Sequence, residues 1–401
     1  MQIEWFCIPV VRRGRWVPYG GLFRLLTLLT LLTLLTLLFA PNQGASAQDI
    51  AQGTVRSSVH ATAKALAGTA LAPGMLSHGA ATVAWKHHSR ALTAQFRSLE
   101  RERLRGIRRW SARELKDVDR VGGTIFYPFA GPDALSAVTY FPRAKRYVLI
   151  GLEPVGPLPD LRRIPADSVS GYLTGIRTAM TSLLSLSFFR TNDMALDFAH
   201  TGVLPTLLVI LTRTGYDVQS ARLVALAPDG SVGSRGSAMA QRNTRVVHGV
   251  EITTLKGGSP VVVEYYAMDL SDGGLHTRMG ARAFINSMKG TTTFVKAASY
   301  LMHKPYFSAI RAAVLQHSDY VLQDDSGIPY RFFTDSSRWS VKLYGHYVGP
   351  ITMFKDWAQP SLDTAYQARG ARPLPFGTGY RFEIGRSNLQ LARRTRVIGP
   401  H

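Results

Sequence analysis

The chain has 401 residues, 46% of them hydrophobic, with 47 Lys+Arg against 26 Asp+Glu and a formal net charge of +21. Its mean hydropathy is zero, and the apolar residues are spread along it. Intrinsic disorder and a multispanning membrane protein are thereby excluded, and the length suits one large domain or two ordinary ones.

Three features stand in order at the start. Arg12, Arg13, Arg15 and Arg24 form a basic leader, residues 25–40 are an uncharged leucine-rich run, and Ala45-Ser46-Ala47 is a small-x-small pattern. The run is shorter than the roughly 20 residues of a bilayer span. The expectation is a signal peptide over 1–47, cleaved after Ala47, and an exported protein, periplasmic or extracellular. An uncleaved N-terminal membrane anchor is the alternative. Cys7 is the only cysteine and lies in the leader, so the mature chain would hold no disulfide, thiolate nucleophile or Cys-ligated metal. Losing the leader removes four arginines and Glu4, and the net charge falls only to +18.

Residues 48–81, rich in Ala, Gly, Thr and Ser, read as a flexible lead-in with room for a short helix. Over 82–119, Trp85, Leu92, Phe96, Leu99, Leu104, Ile107, Trp110 and Leu115 fall mostly three, four or seven apart, the pattern of an amphipathic helix interrupted near Gly106. Its other face is rich in arginine from Arg97 onward. Residues 124–127 predict a strand, the turn at 129–133 leads through Pro132 into a helix ending at Phe141, and 147–152 predict a buried strand. Helices are expected over 168–189 and 204–213, a strand over 218–227, and a hairpin over 246–255 and 261–268 joined by Gly257-Gly258-Ser259. Helices over 275–288, 294–303 and 305–316, a strand over 319–323 and a β-prone run over 330–334 follow. Residues 341–401 show little regular pattern, with a basic tail from 376. The fold class is α/β: a mixed, largely parallel sheet covered by helices, with the N-terminal amphipathic helix and an α/β domain over 121–375.

Three segments carry a resemblance: residues 122–133 (GGTIFYPFAGPD), 151–154 (GLEP) and 323–329 (QDDSGIP). Over roughly 85–375 the chain resembles an uncharacterised group of secreted bacterial proteins, which implies no activity or catalytic residues. More loosely, residues 124–153 are similar to the opening unit of Rossmann-type folds, with Glu153 standing 22 positions after Gly131. A single glycine occupies the turn where the dinucleotide fingerprint has three.

The chain has no G-x-S-x-G, S-x-x-K, H-E-x-x-H or Walker motif. In open α/β sheets ligands bind beyond the carboxyl ends of the strands, and four predicted strands lead into acids: Asp133, Glu153, Asp269 with Asp272, and Asp324 with Asp325. Asp324 and Asp325 are the central candidates for acid–base work, with Asp133 and Glu153 on the same edge. Helix capping explains Asp133 equally, a solvated loop Glu153, and an Asx turn the Asp324-Asp325 pair. His303 and His317 read as helix C-caps and His87-His88 as solvent-exposed; no histidine pair has a metal-ligand spacing. The expected function is a hydrolase or transferase acting on an envelope or extracellular substrate. Its rival is a noncatalytic envelope protein whose arginine-rich helix binds an anionic glycan, lipid head groups or a protein partner; export disfavours nucleic acid. Cofactor, metal and oligomeric state are left open.

Overall fold

The computed structural model describes residues 58–76, 79–120, 122–186, 201–235 and 245–395. All lie within one compact unit, Val55–His401. The leader, its alternative as an anchor, Cys7 and the residues from 396 onward lie outside the described residues.

Ten strands form one sheet: β1 (Thr124–Tyr127), β2 (Arg146–Gly151), β3 (Asp217–Leu226), β4 (Val232–Ser234), β5 (His248–Lys256), β6 (Ser259–Ala267), β7 (Thr291–Val295), β8 (Ser318–Gln323), β9 (Trp339–Gly345) and β10 (Asn388–Arg394). Their order is β4-β3-β5-β6-β2-β1-β7-β8-β10-β9. The central five, β6-β2-β1-β7-β8, are mutually parallel. Antiparallel pairings flank them, β5 and β3 beyond β6 and β10 and β9 beyond β8. The sheet is thus mixed with a parallel centre, and the fold is α/β. The chain runs from β1 outward to β2 on one side and later returns to lay β7 and β8 on the other, so the strand order reverses at β1.

Alternation along the strands sends side chains into two cores. Tyr147 and Leu149 of β2 join Ile125, Tyr127 and Phe294 on one face, while Val148 and Ile150 join Phe126, Val295 and Val321 on the other. The first face is covered by α1 (58–66), α2 (Ala80–Leu99), α3 (Arg105–Glu114), α4 (Ala134–Tyr140), α5 (Val169–Leu186) and α6 (Leu204–Arg213). The second is covered by α7 (Asp272–Thr277), α8 (Ala281–Asn286) and α9 (Ser308–His317). A further helix, α10 (Pro360–Arg369), packs beside β9 through Leu362 and Leu343. Among the described residues no helix is long and apolar enough to cross a membrane.

Several sequence expectations are corrected. The lead-in has the short helix it allowed, α1, but is packed rather than flexible: Ala63, Ala65 and Leu66 are buried in the first core. The carbonyls at the end of α1, which a helix cannot satisfy internally, accept from the Trp85 indole (Ala65, 2.8 Å), His88 Nε2 (Leu66, 2.7 Å) and Arg213 Nε (Ala67, 2.6 Å). His88 is therefore fully buried rather than solvent-exposed, and burial pulls its imidazole down to about 4. The break between α2 and α3 is a π-helical turn, Glu100–Leu104, ending just before Gly106.

Residues 294–303 are not a helix: Thr291–Val295 is β7, a largely β-branched run buried on both faces, followed by a loop and a 3₁₀ turn. The single helix expected over 275–288 is two short ones separated by Gly280. Residues 330–334 wind into a 3₁₀ turn, and the stretch after 341 supplies β9, α10 and β10. β10 lies between β8 and β9, so this part of the supposed basic tail is interior sheet.

Candidate functional site

Because the central five strands are parallel, the loops after β1, β2, β6, β7 and β8 lie along one edge of the sheet. There, where the order reverses, a crevice opens with a volume of about 130 Å³. Among the described residues its acids are Asp133 from the loop after β1, Glu153 from the loop after β2 and Asp269 from the loop after β6, and its only cation is Lys296, following β7. Apolar walls come from Leu152, Met268, Leu270 and Phe307.

Asp133 is held on every side. One oxygen accepts from Ser136 N at 2.9 Å and caps α4; the other accepts from the Tyr127 hydroxyl at 3.0 Å and pairs with the Lys296 ammonium at 2.9 Å. Lys296 and Asp133 are only 3% and 2% exposed, so each charge depends on the other. The ammonium also donates to the Ser136 hydroxyl at 2.8 Å. Burial lowers the Lys296 pKa against the pull of Asp133, and it lifts the Tyr127 phenol well above its usual range, Asp133 adding to that rise.

Glu153 is buried but less constrained. The Tyr265 hydroxyl donates to its backbone oxygen at 2.8 Å and approaches Oε2 at 3.3 Å. Its carboxylate lies over the turn that follows β1: a methyl placed on Gly131 would sit 3.4 Å from Oε2. Gly151, at the end of β2, has no room for a side chain, since a Cβ there would lie 2.5 Å from Glu153 Oε2 and 2.7 Å from Gly131 Cα. The glycines at 131 and 151 thus let two loops and a carboxylate meet at the strand-order reversal. Asp269 is exposed and accepts from Ser271 N and Oγ in an Asx turn. Asp272 instead accepts from the first residues of α9, Ser308 and Ala309.

Asp324 and Asp325 sit on the same edge but behind the crevice wall, 2% and 7% exposed. Asp324 accepts from Ser326 N at 3.0 Å, the Ser326 hydroxyl and Ala297 N at 2.8 Å. Asp325 accepts from the Tyr300 hydroxyl and, at 2.8 Å, from Asn388 Nδ2. Burial and the neighbouring Asp325 lift Asp324 to about 7, and burial also raises Asp325. Together the pair fastens the loop after β7. That loop needs fastening: among the described residues the non-glycine residues with positive φ are Phe129, Ala297, Ser299 and Tyr300, one after β1 and three after β7. Such conformations cost of order 1–3 kcal/mol each and gather at functional sites. Tyr380 completes the clamp, donating to Ala297 O and accepting from Ser299 N.

The structure therefore brings Asp133 and Glu153 into one crevice and sets Asp324 and Asp325 in its support. Sequence reasoning missed Lys296, whose signal was a lone cation closing a β-branched run, and the strained loop, which had been read as helix. Among the described residues no group of three or more His, Asp or Glu side chains could hold a metal ion. Tyr265, Tyr266 and Tyr344 are fully buried. No family model, curated protein or solved structure matches the chain.

Proposed function

We propose that the crevice binds a nucleoside-type ligand lacking phosphates and serves group transfer from it, with Glu153 as the acceptor for the ribose hydroxyls. The observation that carries this reading is the Glu153 carboxylate packed against the Gly131 turn where the strand order reverses. An acid about 20 residues beyond a glycine turn is the usual partner of a ribose diol in doubly wound sheets. Leu152, 65% exposed beside Glu153, offers apolar surface to a flat base.

Charge argues against a nucleotide. The pyrophosphate position of such folds is the helix N-terminus, and here Asp133 already occupies it. Three acids against one cation favour a neutral or cationic ligand. A nucleoside with a sulfonium substituent fits best, its alkyl group passing to an acceptor nucleophile while the sulfonium leaves as a neutral thioether. Among the sequence candidates Glu153 then touches the ligand, Asp133 and Lys296 shape the turn beside it, and Asp324 and Asp325 are positioning residues.

Calorimetric titration with adenosine, S-adenosylmethionine and AMP tests the reading. Binding of the first two, weakening on phosphate addition, and a loss of about tenfold or more in Glu153→Gln are expected. Absence of any nucleoside binding below about 1 mM, or tighter binding of AMP, would falsify it. Export after cleavage at Ala47 is a separate proposal resting on residues 1–47, checked by N-terminal sequencing of protein recovered from its cells. Recovery of a cleaved, exported chain would favour a neutral nucleoside over a sulfonium donor, which is a cytoplasmic metabolite.

A further inference from the structure

A second cavity, with a volume of about 680 Å³, lies on the same face as the α2–α3 helix. Six cations line it: Arg97, Arg101, Arg105 and Arg108 from the helix, Arg213 from the end of α6 and Lys256 from the end of β5. Among the described residues Glu100 is its one acid, and it is engaged by Arg108. Among the described residues the other five form no ion pair with a carboxylate.

The cations differ in how they are held. Arg97, Arg101 and Arg105 are exposed along one side of the helix. Arg213 is fixed by backbone carbonyls and the Thr93 hydroxyl. Lys256, half-buried in the floor, donates to Thr214 O at 2.5 Å and stands 4.5 Å from the Tyr216 ring centroid. Burial and the Arg108 charge pull its pKa down. An ammonium placed at the bottom of a cationic cleft with no acid opposite repels its neighbours unless an anion enters. The π-helical turn falls where the helix passes this cleft, and such turns are frequent at functional sites.

We propose that this cleft is a binding site for a linear oligophosphate, distinct from the crevice. Guanidinium forks match phosphate oxygens in pairs. The row from Arg97 to Arg108 spans about 16 Å at helical rise, which a single phosphate cannot cover and a short chain of them can. Lys256 supplies a point charge at the floor, and Arg213 a fixed field behind it.

Inorganic tripolyphosphate titrated into the full chain is the direct test. It is expected to bind at least about tenfold tighter than orthophosphate and to weaken by about tenfold or more between 50 and 200 mM salt. Arg101→Gln/Arg105→Gln, which alters exposed side chains only, and Lys256→Met, which keeps the aliphatic stem, should each weaken binding at least about fivefold. Glu153→Gln should leave it unchanged, which separates this site from the crevice. Equal affinity for orthophosphate and tripolyphosphate, or a double variant that binds like the parent, overturns the proposal. So does attachment to anionic phospholipid vesicles without binding of soluble tripolyphosphate, since that marks a membrane-surface patch instead.

Discussion

The two cavities meet the same short helix at opposite ends. The N-cap of α4, Asp133, stands in the acidic crevice, whereas Val138, Thr139 and the following Pro142 border the cationic cleft. The charges suit the helix polarity, negative at the end rich in free N–H groups and positive at the end rich in free carbonyls. In the crevice Lys296 answers Asp133 at 2.9 Å in a buried pair, while Glu153 and the exposed Asp269 leave an acidic excess. Charge in the cleft is mostly solvated and unmatched. A chain of net charge +21 can therefore hold an acidic pocket, because its excess is gathered on another wall.

The contrast is broken most severely at the buried pair. Lys296→Met removes the ammonium in contact with Asp133, leaving it the charge of Arg103 and the hydrogen bonds from Tyr127 and Ser136, and should cost about 3 kcal/mol in denaturant unfolding. Adding Asp133→Asn should recover part of that loss; a single variant as stable as the parent would refute the pairing. No comparable cost is expected for any one arginine of the cleft. Gly151→Ala comes next, since its methyl must displace Glu153 or Gly131. It should lower stability by about 1–3 kcal/mol and abolish nucleoside binding, with tripolyphosphate binding unchanged.

Proton linkage sharpens the view of the acids. Folded Asp324 holds its proton to about 7, against an ordinary value of 3.8. The folded state binds more protons between those values, so this group's stabilisation is complete below about 3.8 and is lost as pH rises towards 7. Asp324→Asn should flatten that fall, measured as unfolding midpoint against pH. Asp119, lifted to about 6 by burial, gives a slope of the same sign that remains in the variant. An unchanged profile would show that Asp324 titrates normally. The smallest effect belongs to the cleft: Arg101→Gln removes like charge beside Arg97 and Arg105 and should raise stability by about 0.2–0.5 kcal/mol. A measured loss instead would reveal an unrecognised partner for Arg101.

Local pattern carried the sequence reading where one element sufficed. The apolar run 147–152 and the Pro132 turn announced β2 and the start of α4, and the acids at predicted strand ends fell on one edge once the strands proved parallel. Pattern failed where tertiary context decided. Phe294, Ala298 and Leu301 have helical spacing, yet Thr291–Val295 is buried on both faces and extends between β1 and β8. Asp324 and Asp325 looked like a site because adjacent acids need neutralising. They are instead buried and hydrogen-bonded: the Asx turn from Asp324 to Ser326 follows from local spacing, whereas Ala297 N, Tyr300 and Asn388 lie 27, 25 and 63 residues from their partners, beyond any spacing rule.

The position of β10 has a consequence for assembly. Although it follows β8 and β9 in the chain, it lies between them, and Asn388 at its start supplies the hydrogen bond that holds Asp325. Until residues 388–394 have emerged from the ribosome, β8 has no neighbour on that side and the loop after β7 has an incomplete clamp. Cooperative closure of this half of the sheet thus waits on a late segment.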